Sequence, residues 1–237
     1  MPKGVFRFKQ FECRHEISSM KIGVDAVLLG AWANVDGVGS ILDVGCGCGV
    51  ISLICAQRAP EANVKAVDID VSSVHESAYN FEHSPWNERL DAECADFNRI
   101  EMNDVDLIIS NPPYFDAGVT QLSSPRLAAR HQDALSPVRI LQRAPELLSG
   151  SGSVAMVVPA GQVAELVDCA EINNLELMRL CMVRGHEKAP VKRALMQFAR
   201  KGRFAAECER TTLTLEMLPG EPTEQHRALC KDLYLKY

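Results

Sequence analysis

The sequence predicts an α/β protein with helices on both faces of a mostly parallel sheet. Short apolar segments alternate with longer segments of helical periodicity, and this order is typical of βαβ units. A glycine-rich stretch, residues 45–49, lies between an apolar segment and a helical one. The last two predicted strands follow each other without a clear helix between them, so we expect an antiparallel hairpin at the edge of the sheet.

Seven strands are predicted from short runs of apolar or alternating residues. They cover residues 40–44, 64–68, 90–95, 105–109, 153–158, 175–183 and 192–199. Before them, residues 1–21 alternate in part and indicate a short strand or hairpin. We interpret Phe6, Phe8 and Phe11 in this segment as a small core.

The predicted helices are marked by capping residues and by prolines or glycines at their ends. They cover residues 25–33, 50–58, 72–84, 137–148, 160–173 and 223–233. Asp25 places an acid in the first turn of the first helix. Pro137 occupies the first turn of the fourth helix, where its missing N–H costs nothing. Residues 219–222 are rich in Pro, Gly and Glu and are interpreted as a linker.

The composition suits one globular domain. The chain has 237 residues, of which 47% are hydrophobic and 24% charged, and this is enough for a sizeable core. No run of about 18 apolar residues occurs, so no membrane span is expected, and the charged start does not resemble a secretory signal. Nine irregularly spaced cysteines without a CxxC argue against a disulfide framework or a metal site. Reduced thiols favour a cytoplasmic location, and Cys46 and Cys48 are interpreted as small loop residues.

The net charge of −6 argues mildly against nucleic acid as a partner, but the charge is uneven. Residues 179–210 contain nine basic residues and three acidic ones, a local net charge of +6. Local patches matter more than the sum for contact with phosphates. Within this segment Lys188, Lys192 and Arg193 are candidate contacts, although such runs are often only solvated faces.

The glycine-rich stretch reads Asp43-Val-Gly45-Cys-Gly47-Cys-Gly49 at a strand-to-helix junction, where missing side chains let a ligand approach the backbone. The dinucleotide fingerprint G-x-G-x-x-G/A is not met, because Val50 takes the sixth place. An acid two residues before the first glycine would repel a pyrophosphate. It suits a ligand with an ammonium group and no phosphate, such as S-adenosylmethionine.

Acidic residues follow the next two predicted strands. Asp68 lies 23 residues after Gly45, close to the spacing expected of an acid that binds ribose hydroxyls. Asp70 is the alternative in the same loop. Asp96 follows the third strand and is predicted to accept from the adenine amino group, with Phe97 beside it. One such acid is usually a turn or cap residue, but three acids at three successive strand ends (Asp43, Asp68 and Asp96), together with the glycine loop, favour a cofactor site.

The fourth predicted strand, residues 105–109, is followed by Asn111-Pro112-Pro113-Tyr114. Two prolines fix their own φ and donate no backbone hydrogen bond, so this loop is expected to be stiff and non-helical. A stiff loop at the end of a core strand holds an amide and an aromatic ring in fixed positions.

The motifs DVGCGCG, VDID, ADF and NPPY, in this order, resemble those of class I S-adenosylmethionine-dependent methyltransferases, and NPPY is similar to the signature of enzymes that methylate planar amide or amine nitrogens. The segments FRFKQF, MKIGVDAVLLGAWA, RLAARH and LYLKY resemble bacterial tRNA adenine-N6 methyltransferases, which act on adenosine 37 of a valine tRNA. The resemblance implies a single methyltransferase domain over residues 1–237, a monomer with tRNA as partner, and a Rossmann-like core with a C-terminal helix over residues 36–237.

The resemblance also implies roles for individual residues. Residues 1–35 would cover cofactor and substrate, with Lys21 and Asp25 at the cofactor. Arg130 and His131 would border the substrate.

The NPPY residues would carry the reaction. The Asn111 side-chain oxygen and the Pro112 carbonyl would accept the two N6 hydrogens of adenine and so point the nitrogen lone pair at the sulfonium methyl. Tyr114 would stack on the base, and the rigid Pro112-Pro113 backbone would fix the approach.

Other functions remain open at this point. A protein-glutamine N5-methyltransferase shares NPPY, but it would usually carry an additional N-terminal helical domain, and only about 40 residues precede the first sheet strand. A DNA adenine enzyme or another RNA methyltransferase would share the same motifs. A nucleotide-binding oxidoreductase or a noncatalytic module is disfavoured by Val50, by Asp43 and by NPPY.

Overall fold

The structure is a computed structural model, and it describes residues 4–18, 21–113, 135–203 and 207–236. The strands are β1 (Val5–Arg7), β2 (Glu12–Arg14), β3 (Ser40–Val44), β4 (Asn63–Asp68), β5 (Leu90–Cys94), β6 (Val105–Ser110), β7 (Leu148–Pro159), β8 (Leu175–His186), β9 (Val191–Arg200), β10 (Glu209–Leu218) and β11 (Glu221–Pro222). The helices are α1 (Val24–Trp32), α2 (Val50–Arg58), α3 (Val71–Glu82), α4 (Pro137–Leu147), α5 (Val163–Ile172) and α6 (Glu224–Cys230).

Within the described residues the main sheet has nine strands in the order β11-β10-β8-β9-β7-β6-β3-β4-β5. β3 pairs in parallel with β4 on one side and with β6 on the other. The carboxyl ends of β3, β4, β5, β6 and β7 therefore meet at one edge of the sheet, the usual place for a ligand in such folds. β9 is antiparallel to both β7 and β8, so β8 runs in the same direction as β7.

The predicted α/β architecture is present, but two details of the sheet were wrong. Within the described residues the main sheet has nine strands, not seven, because β10 and β11 lie outside the predicted hairpin. β8 and β9 are antiparallel as predicted, yet β10 pairs in parallel with β8, so the hairpin is not at the edge. Part of the predicted linker forms β11, which pairs with β10.

The apolar residues of the sheet alternate between two cores. Ile41 packs with α1 and α2 on one face, whereas Leu42 and Val44 pack with α4 and α5 on the other. A strand buried on both faces needs a continuous apolar run, as in residues 107–109, which are fully buried. The predicted helices on both faces follow from this pattern.

The N-terminal hairpin of β1 and β2 contains the small aromatic core that the sequence predicts. Phe8 and Phe11 are buried and stack with their ring centroids 4.4 Å apart. Tyr234, near the end of the chain, stacks on Phe8, and Phe8 and Tyr234 form an isolated antiparallel bridge. The hairpin is thereby fixed to the segment that follows α6.

Three further findings concern membrane-spanning helices, cysteines and metal-binding clusters. No helix in the described ranges is long and apolar enough to cross a membrane. The nine cysteines are all free thiols. Over the same ranges, no cluster of three or more His, Cys, Asp or Glu side chains has the arrangement of a metal site.

Candidate active site

The glycine loop between β3 and α2 takes backbone conformations that only glycine adopts easily. Gly47 and Gly49 have φ of +54° and +79°. A Cβ on Gly49 would lie 2.5 Å from the Phe81 ring, whereas a Cβ on Gly47 would meet no atom within 4 Å. Gly49 therefore allows α2 to begin against α3, and Gly47 presents bare backbone to open space.

Asp68, at the end of β4, holds this loop in place. Its Oδ2 accepts a hydrogen bond from the Gly47 N–H at 3.0 Å, and its Oδ1 accepts one from the Asp70 N–H at 2.9 Å. Asp70 itself caps α3, because its side chain accepts from the Ser72 N–H and from the Ser73 hydroxyl. These hydrogen bonds lower the pKa of Asp70, so the alternative acid in this loop has a structural task.

Two adjoining cavities lie at the carboxyl edge of the sheet. The larger is about 310 Å³ and is lined by the glycine loop, Lys21, Asn111 and Pro113. The smaller is about 170 Å³ and is lined by Asp96 and Phe97. The two cavities share four lining residues, which are Gly45, Asp68, Ile69 and Leu135. Residues predicted from four separate motifs thus line two adjoining cavities.

In the smaller cavity Asp96 is oriented by its own turn. Its Oδ1 accepts from the backbone N–H and the side-chain amide of Asn98, at 2.9 and 3.0 Å. Phe97 is buried beside it and contributes to the core on that face. An apolar ring next to a fixed carboxylate suits a planar group with a hydrogen-bond donor.

Asp43, at the end of β3, lies beneath the loop and is not among the residues that line either cavity. Its Oδ2 accepts from the Ser52 hydroxyl and N–H, at 2.6 and 3.1 Å. Its Oδ1 is buried without a hydrogen-bond partner in the described residues. Burial in the core raises the pKa of Asp43 to about 7, although the hydrogen bonds from Ser52 oppose the shift.

The end of β6 brings Asn111 to the larger cavity. The buried Ser110 hydroxyl donates to the Val44 carbonyl at 2.7 Å and ties the end of β6 to the end of β3. Asn111 and Pro113 line the cavity, and Pro112 is buried behind them. Tyr114 lies outside the described residues.

The predicted residues near the N-terminus are divided between two places. Lys21 lines the larger cavity together with Ala26 of α1. Asp25 forms an ion pair with Arg193 of β9, with 2.9 Å between Arg193 Nε and Asp25 Oδ2. Asp25, predicted to contact cofactor, is thus paired with a residue predicted to contact substrate.

Two further predicted substrate residues, Lys188 and Lys192, lie on or near the turn between β8 and β9. Because β8 runs parallel to β7, this turn lies at the same edge of the sheet as the two cavities. Lys188 and Lys192 are exposed there. Arg130 and His131 lie outside the described residues.

Comparison with known proteins decides the family. A family model described as methyltransferase small domain matches residues 23–176. A tRNA1(Val) (adenine(37)-N6)-methyltransferase from Trichodesmium erythraeum is 38% identical over 237 residues, which cover 98% of each chain. The chain belongs to this methyltransferase family. A relative of the same description from Bacteroides fragilis is 35% identical over the full length of both chains.

The fold of this methyltransferase is also found among solved structures. A predicted O-methyltransferase from Agrobacterium tumefaciens aligns with a TM-score of 0.64 at 17% identity, over 88% of this chain and 96% of that one. The predicted class I methyltransferase fold is thereby confirmed.

Three residues at or near the cavities were not predicted from the sequence. Leu135 lines both cavities, and a Cβ on Gly45 would lie 2.8 Å from its side chain. Glu76 and Asn80 are buried polar residues one helical turn apart on α3. Their spacing marks one face of a helix, but only the fold shows that this face is buried.

Proposed function

We propose that this methyltransferase transfers the methyl group of S-adenosylmethionine to the exocyclic N6 of an adenosine in tRNA, with adenosine 37 of a valine tRNA as the substrate. The observation that supports this most is the position of Asn111, which lines the same cavity as the glycine loop and Asp68. The full-length relatives, which are named for that reaction, supply the substrate. The activity takes place in the cytoplasm, where tRNA is found, and the enzyme acts as a monomer.

The residues around the two cavities fit S-adenosylmethionine. The bare backbone at Gly47 admits a close ligand, Asp68 offers carboxylate oxygens where the cavities join, and Asp96 with Phe97 offers an acceptor beside an apolar surface. Among the described lining residues, the Asp68 carboxylate lies where the two cavities join and disfavours a phosphate at that point. When bound, S-adenosylmethionine supplies a methyl group activated by a sulfonium.

Asn111 and Pro112 act on the nitrogen that is methylated. The lone pair of an adenine amino group is delocalised into the ring, so the nitrogen is a weak nucleophile. The Asn111 side-chain oxygen and the Pro112 carbonyl accept its two hydrogens and favour a tetrahedral nitrogen. Because Ser110 ties the strand end to Val44 and the prolines fix the backbone, these acceptors need little reorganisation during the reaction.

The tRNA approaches from the carboxyl edge of the sheet. An adenosine stacked in RNA cannot reach the cavity, so the base must leave its stack, and Tyr114 then stacks on it. Lys188 and Lys192 contact phosphates near this edge, Arg193 supports them through its ion pair with Asp25, and Arg130 with His131 borders the base.

The proposal is tested by Asn111→Ala, with Asn87→Ala as the matched control. Asn87 is an exposed asparagine in the short segment between α3 and β5. Calorimetry with S-adenosylhomocysteine and transfer of a labelled methyl group to tRNA are the two measurements. Asn111→Ala is expected to bind S-adenosylhomocysteine within about threefold of wild type and to lose transfer by about 100-fold or more. Equal transfer by Asn111→Ala and Asn87→Ala would remove Asn111 from the reaction, and label in protein instead of tRNA would favour glutamine methylation.

A further inference from the structure

Glu76 is a carboxylate that the proposed reaction does not use. It lies on α3 with 3% of its surface exposed. Among the described residues its partners are three backbone N–H groups and the Ser18 side chain, not a cation. Its oxygens accept from the N–H groups of Glu16, Ile17 and Ser18, at 2.6, 3.0 and 2.8 Å. Burial alone would raise the pKa of Glu76, but hydrogen bonds from Ser18 and from the three backbone N–H groups lower it. The carboxylate is therefore charged and fully engaged with one short segment.

The opposite side of the same segment holds a cation. The Lys21 ammonium donates to the carbonyl oxygens of His15 and Glu16, at 2.7 and 2.8 Å. Residues 15–18 thus present N–H groups to Glu76 and carbonyl groups to Lys21, so their peptide dipoles run between the two charges. Lys21 is also one of the residues that line the larger cavity.

A second side chain of α3 strengthens this attachment. Asn80, one turn after Glu76, accepts from the Arg14 N–H at 2.8 Å and donates to the Arg14 carbonyl at 2.9 Å. Its amide also donates to the Cys48 carbonyl of the glycine loop at 2.8 Å. One face of α3 therefore fixes the N-terminal segment relative to the loop that forms the cavity wall.

We propose that Glu76 is a positioning residue: it holds residues 15–18 as a platform that places the Lys21 ammonium at the larger cavity, where it binds the carboxylate of the methionine part of S-adenosylmethionine. This inference rests on the proposed function for the identity of the cofactor. A lysine ammonium has three donors, and two are accepted by the platform carbonyls within the described chain. The position of the Lys21 ammonium is set by the backbone oxygens of His15 and Glu16. It therefore depends on Glu76, which accepts hydrogen bonds from the N–H groups of the same segment.

The test compares two ligands that differ only in the carboxylate. S-adenosylmethionine and decarboxylated S-adenosylmethionine are titrated calorimetrically, without tRNA, into wild type, Glu76→Gln and Lys21→Met. Glu82→Gln, an exposed glutamate at the end of α3, is the matched control. A glutamine at position 76 places an amide donor against backbone donors, so the platform is released.

Both Glu76→Gln and Lys21→Met are expected to weaken S-adenosylmethionine about 10-fold, the loss typical of a hydrogen bond to a charged group. Decarboxylated S-adenosylmethionine is expected to bind all four proteins equally within about twofold. In the Lys21→Met background, Glu76→Gln is expected to add no further loss, because both changes remove the same contact. A purely structural role would instead weaken both ligands alike, and that result would overturn the inference.

A second measurement applies if Glu76→Gln does not fold. In wild type, S-adenosylmethionine is expected to slow hydrogen exchange of the amides of residues 16–18 more than decarboxylated S-adenosylmethionine does, because only the former engages the platform through Lys21. Equal protection by the two ligands would overturn the inference. Failure of wild type to bind S-adenosylmethionine would refute the proposed function itself, whereas binding without carboxylate dependence would refute only the role of Glu76.

Discussion

Asp43 makes the stability of the ligand-free protein depend on pH in a specific way. In the folded chain its pKa is raised from the ordinary value of 3.8 to about 7 by burial. Between these two values the folded state keeps a proton that the unfolded state has lost, so the free energy of unfolding falls as the pH rises. Each pH unit between these two pKa values lowers the free energy of unfolding by about 1.4 kcal/mol. Over the whole interval the loss is therefore about 4 kcal/mol.

The perturbation that isolates this contribution is Asp43→Asn, which keeps an oxygen for the Ser52 hydroxyl and cannot titrate. Urea denaturation of both proteins without ligand, at intervals from pH 4 to pH 8, gives the two unfolding free energies. The stability of wild type relative to Asp43→Asn is expected to fall by about 4 kcal/mol across the window and to level off above pH 7. Other titrating groups are common to both proteins and cancel. A difference that stays constant with pH would refute a neutral, buried Asp43.

Three further predictions concern the loop, the cavities and the basic turn. Gly49→Ala is expected to lower the free energy of unfolding, measured by denaturation, by about 2 kcal/mol or more, because Gly49 has a φ of +79° and a Cβ there would clash with the Phe81 ring. Gly185→Ala, where a Cβ would meet no atom within 4 Å, is the control and is expected to unfold with nearly the free energy of wild type. Equal stabilities of the two variants would contradict this prediction. Asp68→Asn is expected to bind S-adenosylhomocysteine about 10-fold more weakly by calorimetry, and unchanged affinity would exclude it from the site. The double variant Lys188→Ala, Lys192→Ala is expected to reduce the slope of log K for tRNA binding against log salt concentration by about two, because two phosphate contacts are lost. Its affinity for S-adenosylhomocysteine is expected to stay unchanged. An unaltered slope would show that the tRNA phosphates bind elsewhere.

Most of the site residues that the sequence predicts correctly lie at the ends of β-strands. Asp68, Asp96 and Asn111 each lie at the end of a short strand or within two residues after it, and the ends of parallel strands meet at one edge of the sheet. Spacing along the chain therefore translates directly into proximity. For Asp43 the same reasoning reaches the right strand end, but the side chain is turned beneath the loop, where Ser52 binds it.

What the sequence did not predict depends on contacts between distant segments. Glu76 lies in a helix with many polar residues, and its burial results from the N-terminal segment that covers it. Leu135 approaches Gly45 only in the folded chain. The strand β10 was missed although Leu213 and Leu215 alternate with threonines at strand spacing, so that signal was present in the sequence.

The most direct test of the central claim is chemical analysis of the product. Total tRNA from a strain that lacks this enzyme is incubated with the purified protein and methyl-labelled S-adenosylmethionine, digested to nucleosides and analysed by mass spectrometry. Labelled N6-methyladenosine is expected, in a single anticodon-loop fragment of a valine tRNA. Label on another nucleoside, or none in tRNA while added protein substrates become labelled, would contradict the central claim.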